Sequence, residues 1–274
     1  MSRFKISCRT GVLIVLALIV GTSCNHRSKV NTESATYEDV EEMAWVDNIV
    51  RAIADRDSTA FAALCRYPIY RAYPLHDIVD STEMVRYFAT IADDSLRNVI
   101  TASTPEDWEL AGWRGATVYS GEHLWCDPAV YAIPYQSTRE KTLLDSLVRA
   151  DLATLPDSLA SGWRPEDCMM DSLSGTIYRI DMRDWDDFEC RVMVYKSKEK
   201  LYGVPDQILY GKLEIQGTMA TQVYIFDLPD GAEMSIVFSW YEDSRMLHIE
   251  KAGKEVVSRP LKKAYWLDWA EQNK

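Results

Sequence analysis

The spacing of hydrophobic positions changes along the chain, and helical spacing comes first. Over residues 37–65, apolar side chains recur every three or four positions, which predicts helix with a short second helix from Ser58; the periodic positions include Val40, Met43, Ile49 and Ile53. The segment RYPIYRAYPLHDIVDS (residues 66–81) follows, and its two prolines predict extended or turning backbone. A third helix is predicted over residues 81–92, with Asp80 or Ser81 as its N-cap.

Two further patterns complete the first half of the chain. Polar and apolar positions alternate in GWRGATVYSGEHLWCD (residues 112–127), which predicts a β-hairpin turning around residues 120–122. Residues 137–155 return to helical spacing before Pro156, and Ser137 with Glu140 forms a predicted capping box.

From Gly175 onward the period shortens to two residues. Six segments alternate in this way, with turn residues between them: GTIYRIDM, FECRVMVYK, QILYGKLEIQG, TQVYIFDL, AEMSIVFSWYE and RMLHIEKA. Short strands at roughly ten-residue spacing are typical of an antiparallel barrel or sandwich. The fold class predicted for the whole chain is therefore α+β, with a boundary between residues 160 and 174.

The N-terminus has a different pattern. Residues 12–20 form an uninterrupted apolar run of nine residues, preceded by basic but no acidic residues. A membrane-spanning helix needs about 20 apolar residues, so this run is too short to span and is typical of a secretory signal.

Small residues then lead directly to Cys24, in the stretch VGTSC. This stretch resembles the lipobox of bacterial lipoproteins, although that pattern usually has Leu where Gly21 stands. The resemblance implies a signal peptide over residues 1–23, lipid on Cys24 and attachment to a membrane, whereas simple secretory cleavage near Ser23 is the alternative. Residues 24–36 are polar and aperiodic, which predicts a flexible tether. In Bacteroidetes-type lipoproteins acidic residues after the cysteine direct export to the cell surface; the absence of acids here favours a periplasm-facing protein in the cell envelope.

The order of elements after the tether resembles a known fold. Helix, short helix, Tyr67-Pro68, helix and a hairpin with Gly115, Gly121 and Trp125 is similar to the NTF2-like cone, in which helices pack on a curved antiparallel sheet. The resemblance implies an NTF2-like α+β domain over residues 37–165, followed by an antiparallel β domain over residues 166–274 like those of uncharacterised envelope proteins. It implies no catalytic residue.

The mature chain is strongly acidic. Without the signal peptide, 27 basic and 42 acidic residues remain, for a net charge of −15. Such a charge argues against nucleic acid as a partner, because phosphate binding needs basic patches. It favours a cationic partner, or it simply maintains solubility.

Four cysteines remain after Cys8 and Cys24 are assigned to the signal and the lipid. In an oxidising compartment they permit two disulfides, and Cys168–Cys190 is the favoured pair because it ties a loop to the first strands of the second half. His123 and Cys126 form a single H-x-x-C pair with no second pair nearby. The spacings therefore predict no metal site, and no pattern indicates a cofactor.

Few residues suggest acid–base chemistry. His76 next to Asp77, and His123 beside Trp125, are weak candidates for a catalytic base; a surface loop is the favoured explanation for His76 and a satisfied sheet histidine for His123. The run DMRDWDDFE (residues 181–189) supplies the oxygen ligands that Ca²⁺ prefers, but its spacing differs from an EF-hand loop and predicts a solvated turn.

Aromatic side chains give the remaining hint of a ligand site. They concentrate in the loops and hairpin of the first half, where core packing is the alternative explanation; the candidates are Tyr67, Tyr70, Tyr73, Trp108, Trp113 and Trp125. The resulting prediction is a membrane-anchored periplasmic lipoprotein that binds a small ligand or an envelope protein without catalysis. The alternatives are a small NTF2-type acid–base enzyme and an acidic inhibitor or immunity-like protein.

Overall fold

The computed structural model describes residues 45–184, 188–197, 201, 204–217, 220–240 and 242–268, without the side chains of Trp113 and Asp184. The described chain divides into two compact units. Unit 1 holds residues up to Arg71 together with Asp77–Thr142, and unit 2 holds Ala72–His76 and everything from Leu143 onward. The predicted signal peptide, the tether and Cys24 lie outside the described residues.

The described part of unit 1 begins with four helices, of which the first is amphipathic and the other three have an aspartate as N-cap. Their bounds are α1 Val46–Ala54, α2 Ser58–Ala63, α3 Ser81–Ile91 and α4 Asp94–Ala102. Asp57, Asp80 and Asp93 cap α2, α3 and α4, and each carboxylate accepts a hydrogen bond from a backbone N–H in the first turn. The helix predicted over residues 81–92 and its Asp80 cap are confirmed, whereas α4 was not predicted.

A small antiparallel sheet completes unit 1. Its strands are β1 Trp108–Leu110, β2 Ala116–Val118, β3 Trp125–Asp127 and β4 Ala129–Ala132, paired in sequence order. The predicted hairpin corresponds to β2 and β3, where Thr117 lies opposite Trp125. Gly115 enters β2 at φ +79°, and a Cβ there would stand 2.0 Å from the carbonyl oxygen of Cys126, so only glycine fits.

The core of unit 1 contains one buried ion pair. Arg71 donates from Nε to Glu140 Oε1 at 2.7 Å, and its NH1 group donates to the carbonyl oxygen of Ile133 at 2.5 Å. Ser137 accepts from the Glu140 backbone N–H at 3.0 Å, as a capping box requires, but the Glu140 side chain is committed to Arg71. The sequence therefore predicted the helix start correctly and gave Glu140 the wrong partner.

Two helices lead into the second half of the chain. Helix α5 spans Thr138–Leu152, so the division between the two units falls within it, and α6 spans Asp157–Ala160. The sequence pattern had placed the domain boundary near residue 165.

Unit 2 is built around a closed antiparallel barrel of eight strands in sequence order. The strands are β5 Arg164–Asp171, β6 Ile177–Asp184, β7 Glu189–Tyr195, β8 Gln207–Gln216, β9 Thr221–Asp227, β10 Glu233–Ser239, β11 Ser244–Lys251 and β12 Lys254–Lys263. Strand β12 closes the barrel against β5 through the short register Leu261–Asp171 to Lys263–Met169. The α+β class is confirmed, and of the two predicted β architectures the barrel is the one observed.

The strand alternation sorts side chains onto two faces. On β6, Tyr178, Ile180 and Met182 point into the barrel and join a buried interior cluster with residues of the other strands. The intervening positions point outward, where a second cluster including Tyr73, Leu155 and Trp266 covers them. Both faces of this part of the barrel are therefore buried.

None of the helices within the described part of the chain is both long and apolar enough to cross a membrane.

Candidate functional site

One end of the barrel interior is polar, and a β-bulge in β5 creates it. The pairing of β5 with β6 shifts between Pro165 and Asp167, so Glu166 is the extra residue. Asp167 lies opposite Ile180 and shares its inward direction. Two consecutive carboxyl groups thus reach the same end of the interior. The Glu166 charge acts on Cys190 and Tyr224, which both belong to the interior cluster.

The buried Asp167 carboxylate is held by two donors. It accepts a hydrogen bond from Arg245 Nε at 3.1 Å and another from the backbone N–H of Cys168 at 2.8 Å. The Arg245 guanidinium lies 4.2 Å from the centre of the Phe238 ring. Both oxygens of this buried carboxylate therefore have a donor, one from a guanidinium and one from the backbone.

The Glu166 carboxyl has a different environment. Within the described residues it makes no hydrogen bond and no ion pair, and it keeps some solvent exposure. Burial and the neighbouring Asp167 charge raise the pKa of Glu166 to about 8, although Arg164 and Lys263 act to lower it. At pH 7 Glu166 is therefore mainly a neutral carboxylic acid that can donate a hydrogen bond.

Neighbouring groups do not provide a nucleophile. Tyr224 is fully buried and donates from its hydroxyl to Gln222 Oε1 at 3.2 Å. Burial and the Glu166 charge raise the pKa of the Cys190 thiol to about 12, so this cysteine is not a thiolate at neutral pH. Among the described residues no cluster of three or more His, Cys, Asp or Glu side chains could hold a metal ion. This end of the barrel is thus suited to binding a polar group.

A second charged cluster lies on the covered outer face of the barrel. Arg179 contacts Asp151 at 2.5 Å and Asp181 at 2.9 Å, and Arg191 donates from Nε to Asp181 at 2.9 Å. Arg191 also donates to the carbonyl oxygen of Leu159, and Tyr73 donates to Asp151 at 3.2 Å. The four charged side chains are wholly buried or nearly so and balance one another, which indicates a structural tie.

This arrangement corrects one prediction. Asp181 was expected to begin a solvated acidic turn, but it lies within β6, fully buried between two arginines. Residues 185–187 of the same acidic run lie outside the description.

The two candidate histidines lie in different compact units and have different partners. His76 is exposed, stacks on Tyr265 at 3.8 Å and lies 3.1 Å from Asp268 Oδ1. The adjacent Asp77 carboxylate accepts a hydrogen bond from the backbone N–H of Arg71 at 2.9 Å. His76 belongs to unit 2, so it lies outside the compact unit for which an NTF2-like site was predicted.

His123 lies in unit 1 between Tyr119 and Tyr135, with ring centres 5.6 and 5.7 Å away. Its buried Nδ1 atom has no hydrogen-bond partner in the described residues. Burial lowers the pKa of His123, and the nearby Glu122 only partly opposes that effect. Within the described residues, no carboxylate is hydrogen-bonded to His123.

A third histidine forms a Ser–His–Glu group on the barrel surface. His248 Nδ1 lies 2.7 Å from Glu255 Oε2 and 3.3 Å from Ser258 Oγ. A catalytic triad uses the two ring nitrogens separately, one for the acid and one for the serine. Both contacts here involve the same nitrogen, Nδ1, so the group does not have the geometry of a catalytic triad.

The predicted aromatic ligand residues mostly serve the core of unit 1. Trp108 and Trp125 are buried, and their indole N–H groups donate to Ser103 Oγ and to the Gly121 carbonyl oxygen. Tyr67 donates to the carbonyl oxygen of Ala62 at 2.8 Å. Tyr70 is half-buried, and the Trp113 side chain lies outside the description.

The predicted disulfide is wrong. Cys65, Cys126, Cys168 and Cys190 are all free thiols. Cys168 lies on β5 opposite Arg179 and faces the outer cluster, whereas Cys190 lies on β7 opposite Met182 and faces the interior. Strand β6 separates the two, and their side chains point to opposite faces.

The polar end of the barrel was not anticipated from the sequence. Its residues fall in RPED (residues 164–167), where the boundary between halves had been placed and where the bulge breaks the alternation. We compared the chain with protein-family models, with curated proteins and with solved structures, and none of the three gave a match.

Proposed function

We propose that the protein is a lipid-anchored bacterial envelope protein that binds a small ligand, without catalysis, at the polar end of its barrel. The observation that carries the proposal is Glu166, a carboxyl group inside a closed barrel that lacks a hydrogen-bond partner in the described residues. Buried polar groups are normally satisfied, so an accessible one at an interior site is available to a ligand. Eight-stranded barrels are wide enough to hold one small molecule.

The surroundings of Glu166 favour binding over catalysis. The nearest thiol is protonated at neutral pH, and the Asp167 carboxylate is already committed to Arg245. An NTF2-type enzyme would need His76 or His123 with a carboxylate in a sheltered pocket. His76 has its carboxylate at an exposed position, and His123 has none in the described residues.

The anchor is proposed from the sequence alone. Lipid on Cys24 would hold the protein at a membrane facing the periplasm, because several acyl chains contribute about 0.8 kcal/mol for each buried CH₂ group. Labelling cells with a fatty-acid analogue tests this: wild type should take up label and Cys24→Ala should not. Equal labelling of both would overturn the anchor and leave the ligand site untouched.

We also infer that unit 1 is related to the NTF2-like fold. Support comes from its helices α1–α4 and its four-stranded antiparallel sheet in the order β1-β2-β3-β4. An experimental structure of the full chain tests this relation: a strongly curved sheet enclosing a conical cavity is expected, and a flat sheet would contradict it.

The binding proposal is tested on the full chain purified from native envelopes in a mild detergent. Denatured wild-type protein should release a small molecule that mass spectrometry detects, and the Glu166→Leu variant should release none. The control is Glu233→Leu, which changes an exposed glutamate on the outer face of β10 and should retain the molecule. Equal recovery from all three proteins would overturn the site. A co-purified protein without any small molecule would favour a protein-binding role and overturn ligand binding.

A further inference from the structure

We propose that the ligand is a small monocarboxylate whose carboxylate lies between Arg164 and Glu166, with an apolar body towards the barrel interior. This inference rests on the proposed binding function and names the chemical class that the site would take.

The first argument is the charge at this end of the barrel. Three cationic side chains act there: Arg245 contacts Asp167, while Arg164 and Lys263 act electrostatically on Glu166. Because Glu166 is mainly neutral at pH 7, Asp167 supplies the only negative charge of this group. Arg164 and Lys263 thus place positive charge beside Glu166, which favours an anionic group at that point.

The second argument is the supply of hydrogen-bond donors. Arg164 pairs with Met182 across β5 and β6, which gives it the inward direction of the interior cluster. Within the described residues the Arg164 guanidinium makes no hydrogen bond or ion pair, and neither does the Glu166 carboxyl. A planar guanidinium binds a carboxylate through two parallel hydrogen bonds, and a protonated carboxyl adds a short O–H···O⁻ bond. One guest carboxylate would satisfy both groups.

The third argument concerns the walls of the site. Phe238 lies beneath Arg245, and the buried Tyr224 and Met182 face the same interior. Apolar walls disfavour a multiply charged anion such as phosphate, because they cannot solvate its charge. A singly charged head group on an apolar body matches both the donors and the walls.

The proposal predicts a definite pH dependence. The titratable and charged groups that act on Glu166 from the surrounding strands are Asp167 and Arg164 on β5, Cys190 on β7, Tyr224 on β9 and Lys263 on β12. As pH rises through about 8, Glu166 loses its proton and becomes a second negative charge beside Asp167. The site then loses a donor and repels a carboxylate.

Benzoate and benzamide form a matched pair of probes, because they share size and shape but differ in charge. Calorimetric titration of the full chain at pH 6.5 and pH 9 should show benzoate binding about tenfold more weakly at pH 9, as the protonated fraction of Glu166 falls. Benzamide should bind at least tenfold more weakly than benzoate at pH 6.5.

Variants separate the two proposed donors. Glu166→Gln keeps an N–H donor, so benzoate should still bind, with the difference between pH 6.5 and pH 9 reduced to less than about twofold. Arg164→Met should weaken binding by about tenfold or more at pH 6.5. The control is Lys254→Met, which removes an exposed cation from the start of β12 and should leave both titrations unchanged.

The outcomes distinguish failure of this inference from failure of the proposed binding function. Equal binding of benzoate and benzamide without pH dependence would overturn the monocarboxylate and keep a small-ligand site. Binding of inorganic phosphate in place of benzoate would overturn it in the same way. If neither probe binds, the molecule released from native protein decides. A monocarboxylic acid supports this inference, whereas any other compound overturns it and keeps the small-ligand site. If no compound is released, the proposed function is overturned as well.

Discussion

The covered outer face of the barrel and its polar interior end hold charged groups in opposite ways. On the outer face, Arg179, Asp181 and Arg191 are enclosed together with Asp151 in a mutually compensating set. At the interior end, Asp167 is paired, but the adjacent Glu166 is not. Burial alone therefore does not determine how a charged group is held in this protein, because the two regions differ in the supply of ion-pair partners.

The far end of β5 supports this interpretation. Asp171 also faces the interior, but it accepts hydrogen bonds from Ser174, from the Leu173 backbone and from Arg259 at 2.7, 2.8 and 2.9 Å. Although burial raises it, these donors lower the pKa of Asp171 to about 2. One strand thus carries two carboxyl groups whose pKa values shift in opposite directions, because donors surround only one of them.

The largest effect is expected from breaking the outer cluster. Arg179→Met would leave Asp151 and Asp181 buried with too little positive charge, which costs about 3–5 kcal/mol of unfolding free energy. Urea denaturation of the full chain measures this loss, with Lys254→Met as the control. A loss below about 1 kcal/mol would show that the cluster is not a structural tie.

A pH-dependent effect is expected at Glu166. Its folded pKa of about 8 lies above the ordinary value of 4.5, so its contribution is most favourable at low pH and is lost as pH rises towards 8. Glu166→Gln should remove that loss, and the stability of the variant relative to wild type should increase by about 2–4 kcal/mol between pH 5 and pH 9. Unfolding free energies at both pH values test this, and a constant difference would contradict it.

Asp171 should behave in the opposite sense and more weakly. Because its pKa is lowered in the folded protein, Asp171 stabilises the fold at pH values above its ordinary pKa of 3.8. This contribution to stability is lost as pH falls towards 2. Asp171→Asn should therefore cost about 1–2 kcal/mol at pH 7 and about half as much at pH 3. Denaturation midpoints at the two pH values provide the measurement, and a larger cost at pH 3 would reverse the assignment.

The smallest effect is expected on the uncovered outer surface. Glu255 lies 2.7 Å from His248 but is exposed, and exposed ion pairs contribute little. Glu255→Ala should change the unfolding free energy by less than about 0.5 kcal/mol. A change above about 1 kcal/mol, measured by the same urea titration, would show that an exposed ion pair can contribute to stability as a buried one does.

The sequence predicted the strands of the barrel better than the burial and partners of the charged side chains. Alternation in GTIYRIDM predicted strand β6 correctly, because a strand with one buried face has a period of two. The run of carboxylates from Asp181 to Glu189 predicted a solvated turn, because nothing local reveals that α5 and the segment at Trp266 cover the outer face. Glu140 was misassigned for a similar reason, since its partner Arg71 is distant in sequence.

Glu166 was missed because a bulge interrupts the alternation at that position. The bulge depends on pairing with β6 and therefore cannot be recognised from β5 alone. The only local signal was a pair of acidic residues at the start of an apolar strand. That pair was attributed to a boundary between halves of the chain.

The closure of the barrel has a consequence for the order in which the protein can form. Seven of the eight strand pairs join neighbours along the chain, but the seam between β5 and β12 joins residues about 90 positions apart through a short register. Seven strands can assemble as a growing sheet while β5 still has an open edge. The interior end at Glu166 is thus enclosed only in the last step, when β12 arrives and brings Lys263 with it.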